Sequence, residues 1–182
     1  MELKPAQFKR FLPLPVALIT TVNGQGSING APYSCVMPIL RSTDLIAIAS
    51  ALPRDTLSNI RETKEFVVNV MGKPSFRKAV NCLKNYPPGV NELEKEGLEW
   101  MDAKKVKPPR VKDAIGWIEA TLEQEIKGEN YVLIIGKALC SEINDAFWDG
   151  ETLTEKPVVS VQPNFWTMGE TIARRDEFSE LV

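Results

Sequence analysis

The chain has 182 residues, with 22 basic and 24 acidic side chains and no histidine. Its near balance of charge offers no basic surface for nucleic acid, and no apolar run reaches the roughly 18 to 20 residues of a membrane-spanning helix. The missing imidazole rules out histidine-dependent hydrolysis and removes the commonest metal ligand. Chemistry is left to carboxylates, lysines, thiols or a bound cofactor that brings its own reactive atoms.

Cys35, Cys82 and Cys140 are odd in number and widely separated, so neither a disulfide framework nor a metal-ligand spacing is expected. Free thiols, and an N-terminus without the apolar core of a signal peptide, imply a cytoplasmic protein. The length suits a single domain over residues 1–182, with 163–182 as a C-terminal tail that is frayed or docked on a partner subunit.

In chain order, Pro15 to Val22 is β-branched and apolar, and Asn23-Gly24-Gln25-Gly26 turns it into a second extended segment, Asn29 to Cys35. Leu45 to Ser50 and Glu65 to Val70 read as further strands. Between them Pro53 to Lys64 reads as a helix. Leu57 and Ile60 lie on its buried side, Asp55 serves as its N-cap, and Ser58, Arg61 and Glu62 face water. Phe76, Ala79, Val80 and Leu83 predict a helix over Pro74 to Leu83. Asn85 to Arg110 is a long excursion with at most a short helix, and its Glu92 to Glu96 patch is expected to be a solvated face. Ile118 to Ile126 and Tyr131 to Ile143 form a second hairpin across Gly128-Glu129-Asn130, and Pro157 to Val161 is a short strand. Six or seven strands with short inserted helices predict a mainly β fold, a closed antiparallel barrel.

One stretch combines features that bind anions. Asn29-Gly30-Ala31-Pro32-Tyr33-Ser34-Cys35 is small enough to admit a flat ring against its backbone, and Pro53-Arg54-Asp55-Thr56 opens a helix whose first N–H groups are free. Arg54 adds a fixed cation and Thr56 a hydroxyl. A charge-assisted arginine bond, about 1.5–3 kcal/mol, outweighs the helix dipole at about 0.3–1, so Arg54 is the larger single contributor. Cys35, with no cysteine or histidine beside it, is read as inert buried packing.

The ordered set Pro15-Val-Ala-Leu-Ile-Thr-Thr, Asn29-Gly-Ala-Pro-Tyr-Ser and Arg54-Asp-Thr-Leu-Ser-Asn-Ile-Arg-Glu-Thr-Lys-Glu-Phe-Val-Val-Asn resembles the flavin reductase-like, FMN-binding split-barrel proteins, most of all the flavoredoxin branch. Glu96-Gly97-Leu98, Val106-Lys-Pro-Pro-Arg-Val and Gly136-Lys137-Ala138 extend the likeness over roughly residues 11 to 162. The resemblance implies a homodimeric split β-barrel holding FMN non-covalently near the subunit interface. Residues 29–35 would lie along the isoalloxazine and ribityl groups, Ala49 and Ser50 beside the ring, and Arg54, Asp55 and Thr56 at the phosphate. Trp166 is a further candidate, as a cover over the flavin of the partner chain. The implied activity is an oxidoreductase passing electrons from NAD(P)H or a protein donor through FMN to an acceptor. Many relatives with nicotinamide-dependent activity carry a histidine in the C-terminal half, and this chain has none. An FMN-binding electron carrier or docking module without nicotinamide turnover is therefore the alternative.

Overall fold

The computed structural model describes residues 1–87, 89–170 and 172. Its strands are β1 (Leu14–Pro15), β2 (Ala17–Val22), β3 (Ile28–Tyr33), β4 (Val36–Pro38), β5 (Leu45–Ala51), β6 (Glu65–Met71), β7 (Trp100–Met101), β8 (Arg110–Val111), β9 (Ala114–Lys127), β10 (Tyr131–Ile143), β11 (Val158–Val161) and β12 (Asn164–Thr167). Three α-helices are interspersed among the described residues: α1 (Asp55–Thr63), α2 (Phe76–Asn81) and α3 (Glu92–Lys95).

Seven strands form one antiparallel sheet in the order β3-β2-β6-β9-β10-β5-β4. Its two edge strands, β3 and β4, are consecutive in the chain and separated only by Ser34 and Cys35. At about 3.3–3.6 Å per residue, that link cannot span a flat seven-stranded sheet, so the sheet must curl until its edges approach. Tyr33 Oη and Ser50 Oγ share a 3.1 Å hydrogen bond from β3 to β5 across this seam. The result is a split barrel, the mainly β architecture expected, with β3 and β4 not paired to each other.

Every residue of β2 is buried, although a strand alternates its faces, because both faces are covered. Ala17 and Ile19 join Ile48, Phe66, Val68 and Ile134 in a cluster closed by Leu57 and Ile60 of α1. Leu18 points the other way, into a cluster with Val67, Met71, Leu93, Leu98 and Trp117. The excursion after α2 supplies Leu93 and Leu98, and so covers a sheet face that would otherwise be wet.

A buried ion network fastens the rest of that excursion. Arg110 Nε donates to Glu119 Oε1 at 2.6 Å and Arg110 Nη1 to Glu142 Oε2 at 2.6 Å, while the Lys104 and Lys105 N–H groups donate to the two oxygens of Glu119. The arginine side chain is 2% exposed and that of Glu119 0%, and the guanidinium lies 5.1 Å from the centre of the Trp117 ring.

Several expectations need correction. The α1 N-cap is Arg54, extended at φ −149° and ψ 137°, and Asp55 is the first helical residue. A carboxylate inside the first turn still complements the helix dipole. Arg61 is not merely solvated: it grips Glu125 through Nε and Nη2. Cys35 is exposed, not buried. The Glu92 to Glu96 patch is a solvated face only in part: Glu94 and Lys95 are exposed, but Glu92 is 9% exposed and the Glu96 side chain 7%. Apart from these corrections, the start of the C-terminal tail pairs with β11 as β12, with Trp166 opposite Val159 and the Phe165 ring 5.6 Å from Phe76. Thr171 and residues 173–182 of that tail lie outside the described residues. Among the described residues no helix is long and apolar enough to cross a membrane.

Candidate functional site

The start of α1 is built to present donors. Arg54 stays extended while its carbonyl takes the Ser58 N–H at 3.1 Å, and among the described residues no side chain caps the first turn. The first-turn N–H groups, which a helix cannot satisfy internally, are therefore left for solvent or a ligand. The Arg54 side chain is exposed and has no hydrogen-bond or ion-pair partner among the described residues. A cavity of about 320 Å³ opens beside it.

That cavity has three walls. Asn29, Ala31, Pro32 and Tyr33 of β3 form one; Ala51, Pro53, Arg54, Asp55, Thr56 and Ser58 form the second. The third is the segment from Cys82 to Tyr86 that leaves α2, together with Glu92. Of the residues singled out in the sequence, Asn29, Ala31, Pro32, Tyr33, Arg54, Asp55 and Thr56 are thus brought together. Ser34, Cys35, Ala49, Ser50 and Trp166 do not line this cavity. Ser50 is 1% exposed and supports Tyr33 from behind, the Cys35 carbonyl accepts the Ala49 N–H at 3.0 Å, and Trp166 is exposed on β12.

Polar contacts beneath the cavity fix its shape. Thr56, 1% exposed, donates its hydroxyl to Asn29 Oδ1 at 3.1 Å, so its outward contribution is the backbone N–H. Thr21 Oγ1 reaches the same oxygen at 3.3 Å and itself accepts from Asn59 Nδ2 at 3.0 Å. Asn29 Nδ2 donates to Glu92 Oε1 at 2.9 Å, and the Gly30 N–H donates to Glu92 Oε2 at 3.0 Å. Asn29 thereby ties β2, β3, α1 and α3 into one unit. Burial pushes the Glu92 carboxyl above the usual range, with the charge of Asp55 adding to it and the hydrogen bonds from Gly30 and Asn29 opposing it.

Opposite α1, Lys84 Nζ and Tyr86 Oη both donate to Glu96 Oε1, at 2.6 and 2.5 Å. These bonds, that from Lys84 first, hold Glu96 below the ordinary carboxylate range. The Cys82 thiol is pushed up to about 12, chiefly by burial and then by the charge of Glu92, so it is a packing residue and not a nucleophile. Sequence reasoning missed this whole wall. Its one legible signal was Asn91-Glu92-Leu93, where Asn91 accepts the Leu93 and Glu94 N–H groups as an N-cap and so turns Leu93 inward. Among the described residues no group of three histidine, cysteine, aspartate or glutamate side chains is placed to hold a metal ion.

The fold is thus a split barrel whose rim carries a helix start and an exposed arginine beside an open cavity. The flavin reductase like domain model matches residues 8–153, and the chain belongs to that family. An uncharacterized protein of Methanothermobacter thermautotrophicus is 43% identical over 150 residues, 79% of this chain and 71% of the relative. Two solved structures share the fold. Nitrilotriacetate monooxygenase component B from Bacillus cereus superposes with a TM-score of 0.83 at 24% identity, covering 96% of this chain and 98% of the other. Flavoredoxin of Desulfovibrio vulgaris (Miyazaki F) gives 0.84 at 17% identity, covering 96% and 97%.

Proposed function

We propose that the chain is an FMN-binding oxidoreductase in which the cavity beside α1 takes the phosphate end of the flavin. The observation that carries this reading is the meeting of an unpaired arginine, Arg54, with an uncapped helix start in one cavity whose other wall is the small-residue strand β3. The donor set suits a phosphate monoester: a planar guanidinium for charge-assisted bonds, and backbone N–H groups aligned with a helix dipole. Ala31 and Pro32 leave room for a flat ring, and Tyr33, braced by Ser50, limits where it can lie.

FMN supplies the two-electron chemistry when bound. The chain's own residues bind and orient: Arg54 and the α1 N–H groups anchor the anion, and the Asn29 junction keeps β3 and α1 at a fixed separation. No side chain is required as acid or base. The reductant is NAD(P)H or a reduced protein. The alternative, an FMN carrier without nicotinamide turnover, is favoured by the complete absence of histidine. Anaerobic mixing of the FMN-loaded protein with NADH and with NADPH decides between them. Rapid bleaching of the flavin by either nucleotide establishes a reductase, and bleaching only by a reduced protein donor establishes a carrier.

The same reading includes a homodimer working in the cytoplasm. Two adjoining apolar hollows of about 300 and 440 Å³ share Ile118 and Ser141, and exposed Leu139 and Ile143 stand on their rims. Such a face suits burial against a second copy of the chain.

A further inference from the structure

The anion cavity contains a feature that works against an anion. Two carboxylates, Asp55 and Glu92, line it together with the two cations Arg54 and Lys84, and Lys84 is already held by Glu96. A phosphate monoester is close to a dianion at neutral pH, its second ionisation lying at about 6. Placed in this cavity it would meet the Glu92 carboxylate, which is 9% exposed and has no cationic partner among the described residues. Among the described residues its hydrogen-bond donors are all neutral: the Asn29 amide, the Gly30 N–H and its own backbone N–H.

We propose that Glu92 takes up one proton from solvent when a phosphorylated flavin binds, so that the cofactor enters with the buried carboxylate neutralised. The inference rests on the FMN reading above. Charge balance is simple: the incoming anion raises the cost of the Glu92 charge, and a proton removes that charge without disturbing the fold. A protonated carboxyl still has lone pairs for Asn29 and Gly30, and it gains an O–H to donate. Because Asn29 Oδ1 also receives Thr56, Glu92 is a positioning residue. It acts on the α1 start through Asn29, and its charge state is read at the phosphate site.

The groups around Glu92 leave it as the proton acceptor. From α1, Arg54 carries a permanent charge and Asp55 is exposed to solvent. From the segment after α2, the Cys82 thiol, whose Sγ lies 3.8 Å from the Glu92 carbonyl, is pushed up to about 12 and already holds its proton at neutral pH. Lys84 and Tyr86 are engaged with Glu96, which they hold in its ionised form. On its own helix, Glu94 is exposed and Lys95 lies in the last turn. Burial already favours the protonated form of Glu92 before any ligand arrives. No histidine in the chain can mask the uptake.

Calorimetric titration of the flavin-free protein at pH 7.5, in two buffers of different protonation enthalpy, reads the protons directly. At that pH free FMN is already almost fully dianionic, so uptake has to come from the protein. The expected result is proton uptake, of at most one per site, with FMN, none with riboflavin, which lacks the phosphate, and none with FMN in Glu92→Gln. Asp55→Asn should keep the uptake, which preserves the test if Glu92→Gln fails to fold. FMN binding without uptake, or uptake that persists in Glu92→Gln or vanishes in Asp55→Asn, overturns the assignment. Failure of FMN to bind at all overturns the cofactor reading as well, and is distinguished by the absence of any binding heat.

Discussion

Glu92 and Asn29 stand 63 positions apart in the chain and 2.9 Å apart in the fold. Their bond brings the acidic end of the excursion onto the strand that forms one wall of the cavity. The neighbouring Gly30 explains how α3 comes so close: a side chain there would collide with Leu93, which is fully buried against β3. Gly30→Ala should therefore lift α3, lengthen the Glu92 contacts and destabilise the protein by about 1–3 kcal/mol. Thermal unfolding checks the loss. An unchanged melting temperature would mean that α3 gives way freely.

The buried network at Arg110 makes a stronger prediction. Removing the guanidinium in Arg110→Met leaves Glu119, with its 0% exposed side chain, charged and without a cation, which should cost about 3–5 kcal/mol. The double variant Arg110→Met with Glu119→Gln should recover part of that loss, because the stranded charge is gone while a side-chain oxygen remains for one of the Lys104 and Lys105 N–H groups. Chemical denaturation of the two variants measures the difference. Equal stability of both would show that the charge was not the source of the cost.

Acid should unfold the protein through three carboxylates. Glu142 is lowered to about 2, first by its hydrogen bond from Lys104 and then by Arg110. Glu125 is lowered by Arg61, and Glu96 by Lys84 and Tyr86. A carboxylate depressed in the folded state stabilises above its unfolded value, near 4.5, and loses that contribution as pH falls through the folded value. Glu92 has the opposite sign. Raised in the folded state, it contributes below its unfolded value and loses that contribution as pH rises through its folded value. The urea midpoint should fall between pH 5 and pH 2.5, and Glu142→Gln should flatten part of that fall. A midpoint independent of pH in this window would contradict the assigned pairs.

The apolar face at Ile118 and Ser141 should hold two copies together. Light scattering is expected to find a dimer for the wild type and a monomer for Leu139→Glu with Ile143→Glu, two residues that are 43% and 47% exposed in the single chain. A wild-type monomer would remove the homodimer from the proposal.

Much of this structure was legible in the residues. The β-branched run of β2, the alternation along β9 and β10, and Leu57 with Ile60 on α1 announce themselves because strand and helix periods are local properties. So does the encounter of β3 with the α1 start, since both segments had ligand-binding composition. What could not be read was set by long-range contacts. Glu92 looks like one member of a charged run, and contacts 62 and 63 residues away, with the Gly30 N–H and the Asn29 amide, make it a buried acceptor. Arg110, Glu119 and Glu142 are spread over three strands, and nothing local marks them as one network. The N-cap was misplaced by one residue because Asp55 has the better capping side chain, whereas the backbone turns at Arg54.

The claim on which the rest depends is that Arg54 and the uncapped start of α1 hold a flavin phosphate. Fluorescence titration of the flavin-free protein with FMN and with riboflavin tests it most directly. The wild type should bind FMN more tightly than riboflavin, and Arg54→Glu should remain folded yet lose FMN affinity on the order of 10- to 150-fold, the equivalent of about 1.5–3 kcal/mol, with little change for riboflavin. Stoichiometric FMN retained by Arg54→Glu, or equal binding of the two flavins by the wild type, would contradict the phosphate site.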